Sequence, residues 1–211
     1  GNVTGGSGGV SSQVYKNEIS VAGGTIAKQV NGGVGEANAT VTGNEVTISG
    51  GNLKAVNGGI GKNGSTVNDN TVTITGGTFA AGRIVGGETG ATGTAKGNKV
   101  VLGEKDGTFD SNTDMTNSTL WGSRYAGSAN NGVIASRDAR IAGTALEVNA
   151  QDVKVKRTRN FQTYQFNLNK KLSNNATMLT VTEGFGAGAN VQWNDIQLDV
   201  SGWQDKPTDL G

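Results

Sequence analysis

The sequence predicts an all-β chain wound as a right-handed parallel β-helix, with three-strand coils of about 26–28 residues and a β-rich C-terminal cap. Three observations predict it. The phrases "NEISVAGG", "NEVTISGG", "NTVTITGG" and "NKVVLGEK" open at Asn17, Asn44, Asn70 and Asn98, a nearly constant period. A glycine pair at 5 and 6, 32 and 33, 58 and 59, and 86 and 87 precedes each opening Asn, and the interval never varies: Gly5 to Asn17, Gly32 to Asn44, Gly58 to Asn70, Gly86 to Asn98. Length variation is therefore expected only on the other arc of each repeat. Superposed repeats also give apolar columns: Ile19, Val46, Val72 and Val100 form one, and Val21, Ile48, Ile74 and Leu102 another. Between them Ser20, Thr47, Thr73 and Val101 are mostly polar, the period of two that strand side chains follow.

Each repeat reads as three short strands. The first carries these alternating columns. The second carries Ile26, Leu53 and Phe79, then Val30 and Val56, and the third Val14, Val41, Val67 and Ala95. β-branched residues suit pleated stacks. The glycine pair closing a phrase supplies the positive φ of a sharp corner. The repeated Asn is expected to stack as an amide ladder or to sit in a left-handed conformation. Residues 1–144 are assigned to such coils. A propeller blade would need about 40 residues, and leucine-rich repeats would show a Leu and Asn signature absent here.

After Asn98 the next glycine-pair position is Gly122 and Ser123, roughly ten residues late, so an inserted loop is expected at 103–132 on the variable arc. Trp121, Arg124 and Tyr125 in that loop are residue types favoured at binding hot spots, and with Arg83 they form the candidate ligand-binding set. The plainer reading is that the aromatics cover a widened coil. Asp106, Asp110 and Asp114 recur every fourth residue but match no calcium-loop spacing, so they read as solvated acids, with no metal or cofactor expected. From 145 to 211 the chain carries longer alternating runs and more charge. This segment is expected to be a β-rich cap or a continuation of the solenoid, built from hairpins or irregular strands, because an open solenoid end exposes unpaired backbone.

Composition narrows function. With 36 Gly, one Pro, 34% hydrophobic and 5% aromatic residues, the chain suits short strands and tight turns better than a conventional core. The absence of His removes Ser-His and Cys-His systems and the commonest general base, and the absence of Cys removes disulfides and thiolate sites. Glu18 above Glu45 is the one stacked acid pair in the repeat columns. Arg83, Arg124, Arg137 and Arg140 could serve lyase chemistry, though salt bridges explain them more simply, and the expectation is a chain that is not an enzyme. Thr73 and Thr75 over Thr47 and Ser49 begin a T-x-T array of the ice-binding kind, but it decays within three coils. Lys and Arg number 18 against 17 Asp and Glu, with neither sign in a block, so no nucleic-acid partner is expected. No apolar stretch reaches the roughly 20 residues needed to span a bilayer, and the start lacks signal-peptide character, so the chain reads as a fragment that does not itself insert in a membrane.

The run "GNEVTISGGNLKAVNGGIGKNGSTVNDNTVTITGGTF", with "FQTYQFNLNKKLSNNATMLTVTEG", resembles the passenger domains of autotransporter adhesins, the type V secretion proteins of Gram-negative bacteria. The resemblance covers about 1–102 and 160–183. It implies a signal peptide upstream, a membrane-embedded β-barrel downstream, and display of this rod at the cell surface. Host cells, other bacteria or glycans are then the expected partners, with self-association of rods as the alternative. Residues 103–145 match no motif of that family.

Overall fold

A computed structural model of the chain describes residues 1–128, 132–134, 138–183 and 195–202. The described residues form fifteen strands and a turn of 3-10 helix at Ala139–Ile141, with no α-helix among them. Every ladder among them is parallel.

Each repeat of sequence forms one layer stacked on the next, and each early layer has three arcs. On the first arc β3 (Glu18–Val21) pairs with the opening of β6 (Glu45–Gly61), which pairs with the opening of β8 (Thr71–Gly90), and that with β9 (Lys99–Leu102). On the second, β1 (Val3–Gly8) and β4 (Thr25–Gly35) stack on the later parts of β6 and β8. On the third, β2 (Gln13–Tyr15), β5 (Thr40–Thr42) and β7 (Thr66–Asn68) form a separate three-stranded sheet. Because β6 and β8 run unbroken through the bend between the first two arcs, those arcs merge into one sheet of 12 strands. That sheet is open, with β1 and β15 (Ile196–Gly202) at the ends of its main path.

The columns expected from the sequence are the core. Val46, Ile48, Val72, Ile74, Val100 and Leu102 are buried and pack with Leu53, Phe79 and Val56 into the larger cluster. Val14, Val41, Val67 and Ala95 make a second, smaller cluster behind the three-stranded sheet. Burying each such Val, Ile or Leu stabilises the fold by about 1.5–3 kcal/mol against an exposed reference.

The repeated Asn is an amide ladder. Asn44 Nδ2 donates to Asn70 Oδ1 at 2.8 Å and Asn70 Nδ2 to Asn98 Oδ1 at 3.0 Å, while the backbone N–H of each donor residue reaches the same oxygen at 3.1 Å. The left-handed residue is the one before it: Lys16, Gly43, Asp69 and Gly97 all have φ between 52 and 63°. The anchor glycines have a different reason. A Cβ on Gly59 would lie 2.8 Å from Asn70 Nδ2, and one on Gly58 would be driven into the Gly86 carbonyl oxygen. The constant spacing thus records a packing partnership across the interior, in which the glycine pair makes room for the ladder. By contrast Gly51 and Gly77, closing their phrases, sit at φ 100 and 106° and turn the corner as expected.

The later layers correct two expectations and choose between the alternatives of a third. First, the segment 103–132 is not a single loop, because β10 (Met115–Ala126) lies between β8 and β12 (Val153–Arg159) in the large sheet. The extra residues on that arc lie between Leu102 and Asp114, a far longer stretch than the one between their partners Ile74 and Thr78. Second, the arc that looked invariant also lengthens. Val85 and Lys99 are partnered by Trp121 and Ala145, so more chain runs between these partners than between Val85 and Lys99 in the layer before. Part of this excess, with Ile134 and Ile141, closes the smaller core. In the next layer only Asn160, Phe161 and Gln162 separate Arg159 from Thr163, and the third arc is gone. Third, no hairpins form in the described part of 145–211. There β11 (Ala145–Val148), β13 (Thr163–Asn169), β14 (Leu179–Val181) and β15 pair in parallel on the ladders of the earlier layers.

Candidate binding groove

The second arc carries a groove of about 790 Å³ on its outer surface, and its walls come from successive layers. Register builds it. Asn31, Asn57, Val85, Trp121 and Arg159 occupy one column, and Gln29, Ala55, Arg83, Thr119 and Arg157 a second two residues earlier. Asn57 Nδ2 donates to Asn31 Oδ1 at 2.8 Å, starting a second amide ladder. Val85 in the next layer offers no donor, so the buried Asn57 Oδ1 has no hydrogen-bond partner among the described residues. The column changes at this point from amide to hydrophobic and then aromatic.

Trp121 lines the groove yet is only 5% exposed. The guanidinium carbons of Arg124 and Arg159 lie over its ring, 5.9 and 5.1 Å from the centroid. Such cation-π contacts hold both side chains against an apolar surface. Arg124 and Arg83 also converge on Glu88, whose Oε2 is 2.8 Å from Arg124 Nη1 and 3.3 Å from Arg83 Nη2. Three of the four candidate residues, Arg83, Trp121 and Arg124, therefore meet in one place. Glu88 is the carboxylate that organises them.

Tyr125 is elsewhere. Its side chain is fully buried in the smaller core. Its hydroxyl donates to the Arg140 carbonyl at 2.8 Å and accepts from the Ala95 N–H at 3.0 Å, with the Arg140 guanidinium over the ring. Desolvation pushes the phenol up to about 12. Tyr125 is a structural strut with no surface left for a ligand.

The other sequence candidates resolve individually. Asp106, Asp110 and Asp114 each accept the backbone N–H two residues on, at Thr108, Asn112 and Thr116, as in Asx turns. Hydrogen bonds to Thr108 are the main cause lowering Asp106 to about 2, and those to Thr116 hold Asp114 below the ordinary carboxylate range. Among the described residues no three acids group to hold a metal ion. Glu18 and Glu45 are register partners, as expected. Thr75 is not over Ser49: a register shift pairs Ser49 with Gly76, and Thr75 is buried with its hydroxyl donating to the Ile48 carbonyl. The T-x-T array therefore ends there. Arg140 pairs with Asp138 at 2.7 Å, away from the groove, and Arg137 lies outside the described residues.

Sequence reasoning missed Lys28, Lys54 and Arg159, which complete the cationic lining. A signal was present: Lys28 and Lys54 stand one repeat length apart. No family model, curated protein or solved structure matches the chain.

Proposed function

We propose that the chain is a passenger fragment of a non-enzymatic bacterial cell-surface adhesin. Its layers wind as a right-handed parallel β-helix and project a binding surface toward host cells, other bacteria or glycans. The observation that carries this reading is the outward groove in which Arg83, Arg124 and Trp121 converge on a rigid parallel stack. The sequence likeness to autotransporter passengers supports the location, outside the cell and tethered through a barrel. Rigid parallel ladders suit the role because a stiff rod holds a site away from the membrane, and many copies sum weak contacts.

The test is attachment. Beads coated with the chain are expected to adhere to cultured host cells or to bacteria in a saturable way, with soluble chain competing. Beads that attach no better than albumin-coated ones overturn the adhesive reading, and an experimental structure with left-handed winding overturns the fold assignment.

Self-association is the second reading. Tyr15 and Val10 are exposed in the first layer, and Ile196, Leu198 and Val200 in the edge strand β15, and open edges with apolar side chains are prone to pair. Sedimentation that shifts with concentration, and reverses when Leu198→Lys is introduced, supports it.

A further inference from the structure

The groove joins cations that are far apart in sequence. Lys28, Lys54, Arg83, Arg124 and Arg159 come from five successive layers, so positive charge recurs along the stacking direction at about the 4.8 Å strand spacing, over roughly 20 Å. Glu88 answers Arg83 and Arg124, but among the described residues Lys28, Lys54 and Arg159 pair with no acid. The chain as a whole carries only +1, so this face concentrates charge that the rest of the surface balances.

Two further observations point to an anionic ligand. Among the described residues Arg83 Nε and Arg159 Nε are buried donors without an acceptor, and unmet donors of this kind are rare unless something fills the site. Burial, and secondarily the neighbouring Arg157, lowers the Arg159 guanidinium from its ordinary value, the direction expected of a cation short of counter-charge. Trp121, buried beneath Arg124 and Arg159, backs these two cations.

We propose that this groove binds a linear anionic polysaccharide, its sulfate or carboxylate groups meeting the cations layer by layer. The proposal rests on the adhesive reading and narrows it to one ligand class. A linear polymer fits because the cations form a row crossing the layers. A saccharide fits better than a bare polyanion because Asn2, Gln29 and Thr119 line the groove beside the cations and can hydrogen-bond sugar hydroxyls.

The experiment uses the whole chain with four labelled probes of matched length: heparin oligosaccharide, alginate oligosaccharide, dextran and duplex DNA. The sulfated or the carboxylated probe is expected to bind, more weakly as salt rises, while dextran does not; which of the two binds identifies the anion. The double variant Lys28→Gln/Lys54→Gln removes two exposed cations without touching the core, and weakens binding about tenfold. Lys96→Gln/Lys105→Gln, equal in charge but outside the groove, leaves binding unchanged. Arg159→Gln serves as a second groove variant, with its folding checked by the thermal transition. Dextran binding as well as the charged probes, equal losses in both double variants, or DNA binding as tightly as the glycans overturns the proposal. If the charged glycans fail but coated beads still attach to cells, adhesion stands and this ligand class falls. If neither binds, both fall.

Discussion

Asn70 makes four side-chain hydrogen bonds: Nδ2 donates to Asn98 Oδ1 and the Val41 carbonyl, and Oδ1 accepts from the Asn44 amide and backbone N–H. Replacing it with Ala strands buried partners on both sides, and Asn70→Ala is expected to cost about 3 kcal/mol. Asn17 stands at the open end of the ladder, half-buried, and donates its amide only to Asn44, so Asn17→Ala should cost about 1 kcal/mol. Urea titrations of the two variants measure the difference, and equal losses would mean that the ladder is not the main role of Asn70. Two tyrosines add to the loss of stability at alkaline pH. Desolvation raises Tyr125 and Tyr164 to about 12 in the folded chain, against about 10 unfolded. Because the folded values are the higher ones, their contribution is complete below pH 10 and is lost as pH climbs through about 12. Stability followed by fluorescence should fall across that window, and Tyr125→Phe should flatten its part of the fall.

At the scale of elements, the strands of the first four layers were readable because each position repeats its neighbour's chemistry, as Val46, Val72 and Val100 do. The corners were readable through Gly51 and Gly77. The groove was only partly readable. Arg83, Arg124 and Trp121 stood out by residue type, but Trp121 and Tyr125 are an even number of residues apart and would share a face on a regular strand. They part because the alternation breaks at the consecutive buried residues Gly122 and Ser123, which the sequence pattern does not show. The lengthened third arc was also illegible, since its cause lies in the following layer: Phe161 and Gln162 cut straight to β13, so Ile134 and Ile141 must close the smaller core. This separates the two excess segments. Residues 104–112 are largely exposed turns, anchored chiefly by Phe109 against the core and by Lys171 to Asp106. Deleting 105–112 is expected to leave the fold and the groove in place at a cost of about 1–2 kcal/mol, the order set by removing one partly buried aromatic. Loss of the cooperative thermal transition in that deletion would show that the segment organises β10.

At the scale of the molecule, protection should follow neighbours. The inner strands β6 and β8 are bonded on both sides, whereas β1 and β15 each have one open edge. Amide exchange is therefore expected to be slowest at Val46–Ile48 and Val72–Ile74 and fastest at β1 and β15, because stability in stacked repeats comes from nearest-neighbour contacts. A uniform exchange rate along the stack would contradict this. Charge also acts at this scale. Lys28, Lys54, Arg83, Arg124 and Arg159 form no run in the sequence, yet one repeat per layer aligns them, so a chain that reads as electrostatically plain presents a basic face. The shortened layer after Arg159 has a mechanical consequence. Backbone hydrogen bonds between layers point along the stack, so pulling the ends apart loads them in tension, and they fail one layer at a time. The layer that has lost its third arc, with the amide ladder already ended at Ser123, is held to the layer before it through two arcs instead of three, so a pulled stack parts there more easily than between β4, β6 and β8. Each full repeat released adds about 90 Å of slack, the extended length of its chain, so the molecule yields to a pull as a sequence of separate extensions.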